Sequence, residues 1–142
     1  MSTDAATIES PLGVASRKWT VALWIAQLAV AAILGMAAFT KFFVYTPDGS
    51  MALAEALGVG RWAITLIGLV ELSAATLILI PRRHVTGALL AALTMIGALI
   101  GHASRLGWSG NAAAEMWPLA LVVLTAATFV VYGRRARLSV DG

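Results

Sequence analysis

The run from Trp62 to Ile80 carries a single ionisable group, Glu71, at its centre. Coiled into an α-helix at about 1.5 Å per residue, such a run spans roughly 28 Å, close to the hydrocarbon thickness of a bilayer. A carboxylate at that depth costs about 2.5–3.5 kcal/mol even on lenient insertion scales. The chain must therefore form a bundle in which Glu71 faces other helices and finds a partner. That one constraint rules out a solitary span and directs attention to every other polar group in an apolar run.

Composition decides what the outside of such a bundle faces. Only 12% of the 142 residues are charged and 60% are hydrophobic, with a mean hydropathy of +0.87. Soluble domains carry roughly 25% charged residues, so this surface faces lipid. The net charge of +3 does not point to nucleic acid, because the arginines stand at the ends of apolar runs, where they report topology. The chain has no cysteine, which excludes disulfides, thiol relays and thiolate metal sites. With two histidines no metal site is expected.

Three more apolar runs accompany the one that holds Glu71, giving membrane helices at about 19–44, 61–80, 85–106 and 112–132 within a transmembrane domain of residues 17–134. Residues 1–16 and 135–142 read as polar cytoplasmic tails. The apolar run after Arg17 and Lys18 is too long for the core of a signal peptide, and acids precede the basic pair. Thr46-Pro-Asp-Gly-Ser50 is a turn, and Met51–Leu57 reads as a short amphipathic helix closed by Gly58 and Gly60. Pro81 stops the second span. The last span has two readings: a helix capped by Asn111 with Pro118 inside it, or a separate turn at 112–116 with Pro118 at the favoured first helical position. Gly97 and Gly101 form a GxxxG pair, which fits either close packing inside the bundle or a dimer seam.

Charge then sets the topology. With four crossings, Arg17, Lys18, Arg82, Arg83, Arg134, Arg135 and Arg137 all fall on one side, so the basic-inside rule places both termini in the cytoplasm. The fold class is all-α: an integral membrane, antiparallel four-helix bundle.

Four of the expected helices send polar groups toward one half of it. Glu71 lies near the midplane. Lys41, His102, Arg105 and Glu115 lie toward the end away from the basic loops, and Gln27 shares a helical face with Lys41. Lys41 or His102 is the expected partner of Glu71. These six residues form a candidate polar pocket. Buried ion pairs also serve only to fix the register of a bundle. Arg61 and Arg105 read as interfacial anchors, His84 as a solvated turn residue, and Trp62, Trp108 and Trp117 as belt residues.

The arrangement resembles the DoxX-like family of small bacterial membrane proteins over roughly Trp19 to Tyr132. The resemblance is carried by Gly35 and Phe39-Thr-Lys41, by Gly68-Leu-Val-Glu71-Leu, and by Leu77-Ile-Leu-Ile-Pro81 before a basic turn. Gly87, His102 and Trp117-Pro118 complete it. It implies a four-helix bundle in the bacterial inner membrane, with Lys41, Glu71 and His102 at the family's polar positions. Some relatives resemble subunits of thiosulfate:quinone oxidoreductase, others associate with oxidative-stress proteins, and distant eukaryotic ones act as membrane chaperones. Without cysteines, thiol chemistry is not carried over.

Two functions follow as expectations. The first is an accessory subunit that binds a quinone, a lipid or another hydrophobic small molecule, or a partner membrane protein or second copy, through the polar pocket. The second is a small membrane enzyme with Glu71 and His102 as its catalytic acid and base on a hydrophobic substrate, by isomerisation, cyclisation or epoxide opening.

Overall fold

The computed structural model describes residues 12–44, 46, 49–110 and 114–138. Five helices make up these residues: α1 Leu12–Phe43, α2 Ser50–Leu57, α3 Arg61–Leu79, α4 His84–Gly101 and α5 Trp117–Leu138. Four of them are long and apolar enough to cross a membrane, with spans Arg17–Phe43, Arg61–Leu79, His84–Leu106 and Trp117–Arg135. Among the described residues there is no strand.

The bundle is inside-out relative to a soluble one. Its centre is built from small and branched residues with almost no exposure, including Val30, Leu34, Ala74, Ile78, Ala88, Ala91, Val123 and Ala127. Its largest apolar side chains, such as Ile25, Met36, Leu93 and Ile100, project outward. Lipid tails are as apolar as leucine, so helix association here rests on close van der Waals packing, and small residues at the contacts permit it. The outward-facing hydroxyls avoid an unmet bond in lipid by bonding their own helices. Thr65, Ser73, Thr76, Ser104, Thr125 and Thr128 each donate to the carbonyl four residues earlier.

Packing follows a ring. α1 lies against α3, α3 against α4, α4 against α5, and α5 closes back on α1, whereas α1 and α4 barely meet. Two pairs of contacts orient the first two spans. Gly68 on α3 lies against Lys41 on α1, and Ile78 on α3 bonds Gln27 on α1. Numbering rises along α3 as it falls along α1, so the two run antiparallel.

Two glycines set these distances. A Cβ at Gly68 would lie 3.2 Å from Lys41 Cβ and 3.3 Å from Phe42 Cζ. A Cβ at Gly87 would fall on the backbone of Leu77 and Ile78, so only glycine lets the start of α4 sit against the end of α3. Gly97 has nothing within 4 Å and faces outward, and Gly101 meets Leu57 of α2 rather than another span. Close packing inside the bundle is therefore not the work of the GxxxG pair. It falls to Gly68, Gly87 and Gly133, the last of which lies against Leu23.

The ends of the helices differ from the expected bounds in ways the chemistry explains. Within the described residues α1 runs from Leu12, inside the expected tail. Residues 1–11 lie outside the described residues. α2 ends at Gly58, whose φ of 69° is left-handed, a cap that glycine adopts without strain. α4 does not stop at Gly101 but widens into a π turn over His102–Leu106, closed by Gly107 N–H donating to the His102 carbonyl at 3.0 Å. α5 starts at Trp117 after a 3-10 turn at Ala114–Met116. Of the two readings of this span, the separate turn is the observed one, with Pro118 in the first turn, where a backbone N–H has no partner to lose. Asn111 lies outside the described residues. α5 continues to Leu138, past the expected end at 132. Arginines near a helix C-terminus favour that continuation by meeting the helix dipole.

Candidate functional site

Lys41 stands in the last turn of α1, and Gly68 lets α1 approach α3 closely enough for the lysine to reach one turn deeper to Glu71. Lys41 Nζ donates to Glu71 Oε2 at 2.8 Å and to Oε1 at 3.0 Å, and lies 3.4 Å from the Ala37 carbonyl. The pair is nearly sealed, with side-chain exposures of 12% and 5%. An ammonium has three donors and no acceptor, so Lys41 spends all three on the protein. The two charges cancel where either alone would be costly. Of the two expected partners for Glu71, the structure shows Lys41.

His102 is buried on the π turn. Its Nδ1 lies 3.0 Å from the Gly107 carbonyl. A carbonyl only accepts, so Nδ1 carries the proton in that bond and Nε2 holds the lone pair of the neutral ring. Nε2 makes no hydrogen bond among the described residues. The ring stacks on Trp108, with centroids 5.9 Å apart and an interplanar angle of 21°. Trp108 in turn meets Trp117 edge-on, and Trp117 Nε1 donates to the Trp108 carbonyl at 3.1 Å. Trp108 and Trp117 thus form a small aromatic platform beside His102.

Arg105, on the same π turn, is exposed and reaches the end of α2: a Cβ at Gly58 would lie 3.7 Å from its Nη1. A guanidinium there meets the negative end of that helix. Glu115 is exposed on the 3-10 turn. Among the described residues no hydrogen bond joins His102, Arg105 or Glu115 to the Lys41–Glu71 pair.

Gln27 belongs to a different place. It is fully buried, and its Nε2 donates to the Ile78 carbonyl at 3.0 Å. Its Oε1 accepts from Arg134 Nη2 at 2.6 Å. The Ile78 carbonyl lies in the last turn of α3, where Pro81 has ended the helix and carbonyls lack intrahelical donors. A second donor serves it, His84 Nδ1 at 2.7 Å. Trp24 packs edge-on against the His84 ring, with centroids 5.6 Å apart, and lies 5.4 Å beneath the Arg134 guanidinium. One side chain or carbonyl from each of α1, α3, α4 and α5 thus meets in a polar clasp at the basic end of the bundle. Gln27 and Lys41 share a face of α1, but they are fourteen positions apart, which separates the clasp from the ion pair by about 21 Å along the helix.

His84, Trp24, Arg134 and the Ile78 carbonyl were not among the expected site residues. A signal for them exists in the sequence: a buried amide at Gln27 needs partners, and a helix stopped by Pro81 leaves carbonyls in search of donors.

The fold and its polar groups define a multi-pass, all-α membrane protein whose four spans are tied by an ion pair at one level and a clasp at another. A sequence model of the DoxX-like family matches residues 25–128, and the chain belongs to that family. The matched region takes in Gln27, Lys41, Glu71, His84 and His102, and stops short of Arg134. No curated protein and no solved structure gives a significant match to the chain.

Proposed function

We propose that this chain is an accessory membrane subunit, not itself catalytic, that binds a hydrophobic small molecule of the quinone or lipid class at the end opposite its basic loops. Both termini are then cytoplasmic, and the membrane is the inner membrane of a bacterium. The observation that carries this reading is His102: a buried imidazole with Nδ1 committed to Gly107, Nε2 left without a protein partner among the described residues, and a tryptophan stacked on its face. A neutral ring so fixed accepts a hydrogen bond from a hydroxyl, as on a quinol, and a protonated one donates to a carbonyl, as on a quinone. In this reading the Lys41–Glu71 pair is the structural floor of the pocket, with Arg105 and Glu115 at its rim.

The test is titration of the purified protein in detergent with decylubiquinone, a short-chain benzoquinone, followed by tryptophan fluorescence. Saturable quenching is expected, with an apparent Kd raised by roughly tenfold in His102→Ala, about 1.4 kcal/mol. Quenching that rises linearly and equally in both proteins removes the support.

The second reading is the membrane enzyme in which His102 acts as base and Glu71 as acid. What favours it is the same fixed tautomer, since a histidine held through Nδ1 presents Nε2 for proton abstraction. What weighs against it is that both carboxylate oxygens of Glu71 are engaged by Lys41. Under this reading Glu71→Gln keeps the protein folded in detergent and abolishes turnover. Under the first it lowers stability and leaves ligand binding in the surviving folded fraction.

A further inference from the structure

The polar clasp fixes the level of the bundle's basic end. Gln27 on α1 is level with Ile78, one residue before α3 ends. α1 does not end there. It continues another ten residues to Arg17, about 15 Å. Trp19 on this stretch packs edge-on against Phe129 of α5, with ring centroids 5.0 Å apart, so the stretch lies along α5 at the basic end of a candidate span that begins at Arg17. On its outward face lie Lys18, Val21, Ala22 and Ile25, spaced by three and four residues and so on one side of the helix. Together with Arg17 they line an open groove of about 350 Å³.

The groove has two parts of opposite character. Its floor is apolar: Val21 and Ile25 are more than half exposed, and the smaller Ala22 between them leaves a notch. Its upper edge is Arg17 and Lys18, both exposed, and neither in an ion pair among the described residues. The neighbouring arginine on α5 is differently placed, since Arg134 bonds Gln27 and lies over Trp24. Among the described residues the charge of this end is one-signed. Arg17, Lys18, Arg82, Arg83, Arg134 and Arg135 stand there, whereas the described carboxylates, Glu55, Glu71 and Glu115, all lie on other parts of the fold. An unpaired cation pair at the end of a candidate membrane span, above an apolar notch, complements a molecule with a phosphate joined to an alkyl chain.

We propose that this groove binds one anionic phospholipid, with its phosphate between Arg17 and Lys18 and an acyl chain along Val21, Ala22 and Ile25. The lipid seats the protruding part of α1 against the membrane surface. The site is separate from the pocket near His102 and does not depend on the function proposed for it.

Native mass spectrometry of the purified protein from detergent micelles doped with dioleoyl phosphatidylglycerol tests the site. A single retained phosphatidylglycerol is expected on the wild type, and far less of the zwitterionic dioleoyl phosphatidylcholine at equal doping. Arg17→Gln with Lys18→Gln lowers retention by roughly thirtyfold, the effect of removing two cations near the membrane surface. Arg82→Gln with Arg83→Gln leaves it unchanged. Ala22→Phe keeps every charge but fills the notch, so it lowers retention without touching basic-inside topology, which keeps the test valid if the doubly neutralised variant inserts poorly. Equal retention of the two lipids overturns the proposal, as does equal loss from the two charge variants or an Ala22→Phe protein that binds as the wild type does. Displacement of the lipid by inorganic phosphate overturns it too, because the site would then be one for a free anion.

Discussion

Glu71 shows how much one residue constrains when its surroundings are apolar. Its depth in the span predicted a partner on another helix, and Lys41 meets it at 2.8 Å. Removing one member leaves the other charged and sealed, which costs about 3–5 kcal/mol for a buried pair, whereas replacing both with apolar residues of similar volume is neutral or stabilising. Glu71→Gln and Lys41→Met are therefore each expected to lower detergent-state stability strongly, and Lys41→Met with Glu71→Leu to restore most of it. Thermal unfolding of all four proteins, arranged as a double-mutant cycle, measures this; additive losses would mean the pair is not coupled. His102 carries a second expectation at this scale. Its Nδ1 donates to Gly107, so ¹⁵N spectra of labelled histidine in the neutral protein should show the proton on Nδ1, and an Nε2-protonated ring would contradict the geometry. The sequence announced both residues as polar groups in apolar runs. It did not say that His102 would bond Gly107 rather than Glu71, because that depends on the π turn, which shifts the register of side chains by one residue and has no compositional mark.

At the scale of helices, the legible parts were the runs themselves and the proline-bearing turns, because apolar length and helix breakers are local properties. α3 ends at Leu79, two residues before Pro81, and Gly58 closes α2, as their backbone preferences require. The contacts were less legible. Gly97 and Gly101 match a packing motif, yet Gly97 meets nothing within 4 Å, while Gly87, in no motif, is pressed on the backbone of α3. Which glycine faces a neighbour depends on how the helix is rotated, and in a chain with 13 glycines spacing alone does not choose. This gives a paired prediction. Gly87→Ala places a methyl group where backbone already lies and cannot be relieved by a side-chain rotation, so it costs at least the 1–3 kcal/mol or so of an overpacked core. Gly97→Ala faces open space in an α-helix and should be neutral or raise stability by up to about 1 kcal/mol. Comparing the two melting temperatures in the same detergent checks it. Equal effects would mean that α4 is rotated relative to the arrangement described.

For the molecule as a whole, the two ends of the bundle are held by different means, and this has consequences that can be separated. Near Lys41 two helices are joined by charge. At the basic end all four spans converge on the clasp of Gln27, Ile78, His84 and Arg134. Gln27→Leu strips an acceptor from Arg134, while the Ile78 carbonyl keeps its bond from His84, so the expected loss is about 1–3 kcal/mol. Because the clasp lies about 21 Å along α1 from the ion pair, the effect of Gln27→Leu should add to that of Glu71→Gln in the same unfolding assay. The partners within the clasp were only partly legible in the sequence, because it joins residues 51 and 107 positions apart, and one of its members is a backbone carbonyl that no residue type reveals. The proposed orientation in the membrane rests, by contrast, on the charges. Four crossings would put Arg17, Arg82 and Arg134 on one face, and the basic-inside rule is the ground for proposing that this face is cytoplasmic. The cysteine-free chain suits a direct measurement of that side. Single cysteines at Ser109, in the exposed loop before α5, and at Ser139, after α5, can be exposed to a membrane-impermeant maleimide in spheroplasts. Ser109→Cys is expected to react in intact spheroplasts, and Ser139→Cys only after lysis. The reverse pattern would invert the proposed topology and move the His102 pocket to the cytoplasmic side. Reaction of both before lysis would leave an odd number of crossings and mean that one of the four candidate spans does not cross.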